Sequence, residues 1–71
     1  MLRPVVLTPL KLRRIQSGLR QYEVARMLGY SPSGYCLRER GDIPVNVRDA
    51  IRLSRILKTP VEQLFSSEEE G

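Results

Sequence analysis

Three Ser/Thr-Pro dipeptides punctuate this chain, at Thr8-Pro9, Ser31-Pro32 and Thr59-Pro60. Each joins a hydroxyl that caps a helix N-terminus to the one residue whose missing N–H costs nothing at the first helical position. All three read as helix starts. Ser17-Gly18, Gly29 and Gly41 supply stops between them, so the chain is cut into short helices. Leu7 and Leu12 have the spacing of a hydrophobic staple around the first start, and Tyr30 and Tyr35 around the second. At the third, Glu62 completes a capping box with Thr59.

The spacing predicts a first helix from Pro9 to about Gln16 with Leu12 and Ile15 inward. A second runs from Arg20 or Gln21 to Leu28, with Val24, Ala25 and Leu28 as its apolar face. The third spans Pro32 to about Arg40. Residues 41–46, "GDIPVN", read as a loop that ends on Asn46 as the next N-cap. A fourth helix, Val47 to Leu57, places Val47, Ala50, Ile51, Ser54, Ile56 and Leu57 on or near one stripe, and a fifth, Pro60 to about Phe65, lays Val61, Leu64 and Phe65 over the core as a lid. No alternating run is long enough for a sheet, so the fold class is all-α, one domain over residues 8–65. Residues 1–7 read as an extended N-terminal arm and residues 66–71 as an acidic, disordered tail.

Composition removes several function classes. There is no histidine and one cysteine, which leaves no intramolecular disulfide, no zinc site and no histidine-based catalysis. The apolar run Val5-Val6-Leu7 is too short for a secretory signal and lies between Pro4 and Pro9, so a reducing, cytoplasmic setting is expected. No phosphate-cradling glycine loop and no carboxylate pair in a cleft suggests an enzyme, and no cofactor is expected. The net charge is +4, yet three of the eight acids are Glu68, Glu69 and Glu70. Residues 1–65 hold twelve cations against five carboxylates, a surplus of +7. A small body with that excess suits a polyanion such as nucleic acid.

Only Gly29-Tyr30-Ser31 joins the second and third helices. So tight a turn makes two short helices cross steeply and leaves one side of the second exposed. Ala25, one turn before Gly29, permits close approach, and Gly29 can take the left-handed conformation the turn needs. This is a helix-turn-helix pattern. The stretch "LRRIQSGLRQYEVARMLGYSPSGYCLRERG", followed by "AIRLSRILKTPVEQLF", resembles the Cro/C1-type (XRE) family of helix-turn-helix regulators, typified by lambdoid phage repressors. The resemblance covers roughly residues 10–65. It includes "RIQ-x-GL-x-Q", the Ala/Gly pair, "S-x-S" opening the third helix, "E-x-G" closing it and a final "V-x-x-L-F".

What the resemblance implies is a lambda-repressor-like five-helix bundle that binds double-stranded DNA and reads the major groove with helix 32–40. It also implies a pairing of Arg14 with Glu39. The family's base-contacting positions carry onto Pro32, Ser33, Cys36 and Leu37, and its backbone-positioning ones onto Gln21 and Arg40. Helical arithmetic with Tyr35 facing the core independently exposes Ser33, Cys36, Leu37 and Arg40. With Ser31 at the helix start and Gly34, which lets that start come closer to the groove, the candidate DNA-facing set is Gln21, Ser31, Pro32, Ser33, Gly34, Cys36, Leu37 and Arg40. With so few hydrogen-bonding side chains, specificity is expected to lean on apolar contacts, water and DNA shape.

Useful affinity from so small a module implies a homodimer on a palindromic operator, paired through Leu57 to Phe65 or through the arm at Arg3 to Leu7. The competing reading is a protein-interaction module on the same scaffold, antitoxin-like or regulatory, whose basic face meets an acidic protein. Arg38 stands where the family is normally apolar. Either its stem lies along the core edge with the guanidinium escaping, or the third helix is rotated so that Leu37 turns inward and Arg38 faces DNA. Cys36 reads as a small filler, Tyr22, Tyr30 and Tyr35 as packing residues, and Arg48, Arg52 and Arg55 as the solvated face of the fourth helix.

Overall fold

The computed structural model describes residues 8–65, and among them the regular elements are all helices, joined by short turns. Its elements are α1 (Pro9–Gln16), α2 (Gln21–Leu28), α3 (Pro32–Arg40), α4 (Val47–Leu57) and α5 (Val61–Phe65). The expected arm (1–7), the Leu7 half of the first staple and the acidic tail (66–71) lie outside the described residues.

The capping chemistry explains most boundaries. Thr8 Oγ1 accepts from the Lys11 amide (3.2 Å), Ser31 Oγ from the Gly34 amide (3.1 Å) and Asn46 Oδ1 from the Asp49 amide (2.8 Å). Each cap satisfies one of the orphan donors of a first turn. Gly29 (φ 85°) and Gly41 (φ 89°) close α2 and α3 in the left-handed conformation, where a side chain would be strained. The third start differs from expectation. Thr59 is buried and its hydroxyl donates to the Leu57 carbonyl (2.9 Å), so it forms no capping box with the exposed Glu62, and α5 starts at Val61.

α2 and α3 pack on one another, α1 packs against α3 and α5, and α4 against α5. The core contains Leu10, Val24, Ala25, Leu28, Tyr35, Leu53, Leu57 and Leu64, with Leu19, Tyr30, Val45, Ile56 and Phe65 packed around it. Two expected stripes are displaced. On α1, Leu12 and Ile15 are exposed, while Leu10 and Arg14 point inward. Leu10 and Arg14 are one turn apart, and no single stripe holds them together with Leu12. The inward choice falls to the pair containing Arg14 because a buried carboxylate awaits it. On α4, Ala50 and Leu57 are buried as expected, but Val47 and Ile51 face out, and Leu53 with Asp49 takes their place.

Candidate DNA-binding face

Glu39 is the fixed point of the site. Near the end of α3 it is 2 % exposed, and its carboxylate takes four hydrogen bonds. Arg14 donates from Nε to Oε2 (2.6 Å) and from its terminal nitrogen to Oε1 (3.3 Å), Gln21 Nε2 donates to Oε1 (2.9 Å), and Tyr35 Oη donates to Oε2 (2.8 Å). Arg14 also donates to the Leu19 carbonyl (2.7 Å), and the Thr8 hydroxyl to the Glu39 carbonyl (2.9 Å). Residues of α1, α2 and α3 thus converge on one buried ion. Burial pushes the Glu39 carboxyl up, but the bonds from Arg14, Gln21 and Tyr35, with the Arg14 charge, outweigh it and hold the group below its ordinary range. Burial, followed by the negative charge of Glu39, pushes the Tyr35 phenol up. The expected Arg14–Glu39 pair is present and shielded from water, and it fixes the rotation of α3 about its own axis.

A second polar chain ties the turn to α3 and α4. The Tyr30 phenol donates to the buried carboxylate of Asp49, a bond that also raises the phenol's own pKa. The Arg38 guanidinium stacks over the Tyr30 ring, 4.1 Å from its centroid, and donates to the Gly34 carbonyl (2.9 Å). Arg38 therefore keeps its stem at the core edge and folds its charge back over an aromatic face. That is the unrotated alternative for α3. Gly34 fits the arrangement: a Cβ there meets Ser31 Oγ at 3.1 Å, Arg38 at 3.7 Å and Tyr30 at 3.9 Å. Its missing side chain faces the protein and leaves room for Arg38.

With Tyr35 and Glu39 held inside, the other side of α3 faces outward. Ser31, Pro32, Ser33 and Arg40 are exposed, Leu37 is 36 % exposed, and Cys36 and Gly34 are half-buried. Arg40 pairs with Asp42 (3.1 Å) at the surface, where an ion pair contributes little and is readily exchanged for another anion. Gln21 is placed differently from the others. It stands at the start of α2, half-buried, and its amide is turned toward Glu39, leaving one N–H of that amide for an outside acceptor. Glu23 shares this helix start and accepts from the Arg20 amide (2.8 Å), so a carboxylate already meets part of that terminus's attraction for anions.

The sequence offers no signal for the Tyr30–Asp49 bond, whose partners are nineteen residues apart and on different elements. The same holds for Arg52, whose guanidinium donates to the Met27 carbonyl (2.8 Å) and ties α4 to the end of α2. Among the described residues no cluster of His, Cys, Asp and Glu is arranged to hold a metal, and no helix is long and apolar enough to cross a membrane. A cavity of about 280 Å³ lies between the start of α1, the end of α3 and α5, and Pro9, Leu10, Arg38, Glu39, Leu64 and Phe65 are among the residues that line it.

A helix-turn-helix family model of the Cro/C1 type matches residues 10–64. No curated protein and no solved structure matches the chain. The matched span begins within α1, ends within α5 and contains both the tight turn at Gly29 and the Glu39 anchor. The chain belongs to the Cro/C1-type (XRE) family of helix-turn-helix DNA-binding regulators.

Proposed function

We propose that this protein is a sequence-specific, double-stranded DNA-binding transcriptional regulator of bacterial or phage type, without enzymatic activity, acting in the cytoplasm and reading the major groove with α3. The observation that supports this most is the contrast between the two sides of that helix. Tyr35 and Glu39 are buried in the bundle, while Ser33 and Arg40 are exposed and Leu37 keeps about a third of its surface open. A rigid helix with one open side is what direct readout needs.

Apart from Gly34, whose missing side chain faces the protein instead of the groove, each member of the face has a role. Ser33 donates to or accepts from a base edge, and Leu37, with Cys36 beside it, packs on an apolar feature such as a thymine methyl. Ser31 and Pro32 approach the groove at the helix start. Arg40 exchanges Asp42 for a phosphate, and the remaining N–H of Gln21 donates to another, so both fix position without reading sequence. Two copies on a palindromic operator, half-sites about one helical turn apart, supply the affinity that one short helix lacks.

Fluorescence anisotropy on labelled duplexes across a salt series tests this reading. Arg40→Ala weakens binding to every duplex and makes the log–log salt slope shallower by about one. Leu37→Ala changes the preference at one base pair by about 1–3 kcal/mol and leaves nonspecific binding in place. Equal losses on all sequences for Leu37→Ala contradict its role.

A further inference from the structure

α4 has an outer face that the core and α3 do not use. At 100° per residue, the buried Asp49, Ala50, Leu53 and Leu57 share one side, and Arg48, Arg52 and Arg55 run down the other at i, i+4 and i+7. All three arginines are exposed. On one flank of the row stand Val47, 76 % exposed, and Ile51, 43 % exposed. On the other, Met27 of α2 and the half-buried Ile56 join Arg52 and Arg55 around a shallow cavity of about 320 Å³. The bond from Arg52 to the Met27 carbonyl holds the middle cation against this floor. Asp49 is the only carboxylate of α4, and it is buried and engaged by Tyr30. The face therefore carries three guanidinium groups between two apolar rows, with Lys58 at its end and, among the described residues of α4, no exposed acid.

Three kinds of occupant fit unequally. A second copy seated on this face sets arginine rows against each other, which is repulsive. A DNA backbone uses the cations but gains nothing from covering Val47, Ile51 and Met27. An acidic protein segment with apolar side chains uses both. We propose that the outer face of α4 binds an acidic, amphipathic segment of a partner protein, with a row of carboxylates opposite Arg48, Arg52 and Arg55 and apolar side chains over Ile51 and Met27. Arginine suits this role because its planar fork takes a carboxylate in two parallel hydrogen bonds. The apolar rows exclude water from those bonds and strengthen them.

The full chain, immobilised, is panned against a displayed library of random peptides, and enriched peptides are synthesised and titrated. Enrichment of sequences with Asp or Glu every three or four residues, interleaved with large apolar residues, is expected. The charge reversals Arg48→Glu and Arg55→Glu, at side chains that make no hydrogen bond or ion pair among the described residues, weaken the peptides about tenfold or more. Ile51→Ser and Met27→Ala weaken them severalfold, and circular dichroism melts of all four variants stay near that of the parent. Bound peptide shifts the backbone amide signals of α4 and the end of α2 and leaves those of Ser33 and Leu37 in place.

Failure to enrich acidic peptides overturns the proposal, as does unchanged binding to the reversed variants. Displacement of the peptides by duplex DNA assigns the face to nucleic acid instead, and a concentration-dependent dimer that Ile51→Ser dissolves assigns it to a second copy. The peptide arms need no DNA, so they stand or fall apart from the regulator reading.

Discussion

Replacing Arg14 by methionine removes the positive charge that pairs with Glu39 while keeping an unbranched chain in its place. In the parent, Glu39 accepts from Arg14 twice, at 2.6 and 3.3 Å, and once each from Gln21 and Tyr35. The variant keeps the last two bonds, but a 2 %-exposed carboxylate is left without a counter-charge, and the Leu19 carbonyl loses its donor. Breaking a buried pair in this way costs about 3–5 kcal/mol. A domain this size has a total stability of about 4–10 kcal/mol, so the loss consumes much of it.

The pH dependence gives a second check. In the parent, the bonds and charge around Glu39 outweigh its burial and hold its carboxyl below the ordinary range, so its contribution is present above the unfolded value and fades as pH falls through the folded one. In Arg14→Met, burial acts without the arginine to oppose it, the folded value rises, and the penalty fades on acidification as the carboxyl takes a proton. Urea unfolding followed by circular dichroism is therefore expected to show a wide gap between parent and variant at neutral pH that narrows in acid. Adding Glu39→Leu to Arg14→Met recovers only part of the loss: no uncompensated charge remains, but the buried Tyr35 phenol loses its acceptor and the Leu19 carbonyl still lacks its donor. A single-variant cost under about 1 kcal/mol, or a gap independent of pH, refutes the reasoning.

Other expectations follow from the second polar chain and the backbone. Tyr30→Phe leaves the 4 %-exposed Asp49 without its phenol donor and lowers stability by about 1–3 kcal/mol, read from thermal or urea melts. Arg38→Met restores an apolar side chain at the core edge while losing the stacking on Tyr30, so its stability stays within about 1 kcal/mol of the parent. Lys58 caps α4 at φ 52°, a conformation that burdens any side chain, and Lys58→Gly raises stability by about 1 kcal/mol, or about 5 °C in melting temperature.

Most helix boundaries were legible because local chemistry sets them: a hydroxyl before proline at Thr8 and Ser31 though not at Thr59, an asparagine before an apolar helix, glycine after the last turn. The outward side of α3 was legible for a related reason, since one inward residue, Tyr35, fixes the direction of all the others. The inward stripes of α1 and α4 were not. Leu12 and Ile15 are more apolar than Arg14, and only the carboxylate of Glu39, on another helix, reverses their order. Pairing Arg14 with Glu39 inside the fold already conflicts with placing Ile15 inward, because the two neighbours lie 100° apart on the helix. Likewise Asp49 enters the core in place of Ile51 because Tyr30 meets it there. Buried polar pairs between distant residues have no periodic signature, and they displaced the apolar stripes. Gln21 shows the same effect at the candidate site, where its amide serves Glu39 as well as any phosphate.

The most direct test of the central claim, that the open side of α3 reads duplex DNA, is selection from a pool of randomised duplexes at fixed, physiological salt. Convergence on one motif with two-fold symmetry is expected, with loss of preference at a single base pair of each half-site when the selection is repeated with Leu37→Ala. A pool that stays random, or a motif that Leu37→Ala leaves unchanged, contradicts that claim.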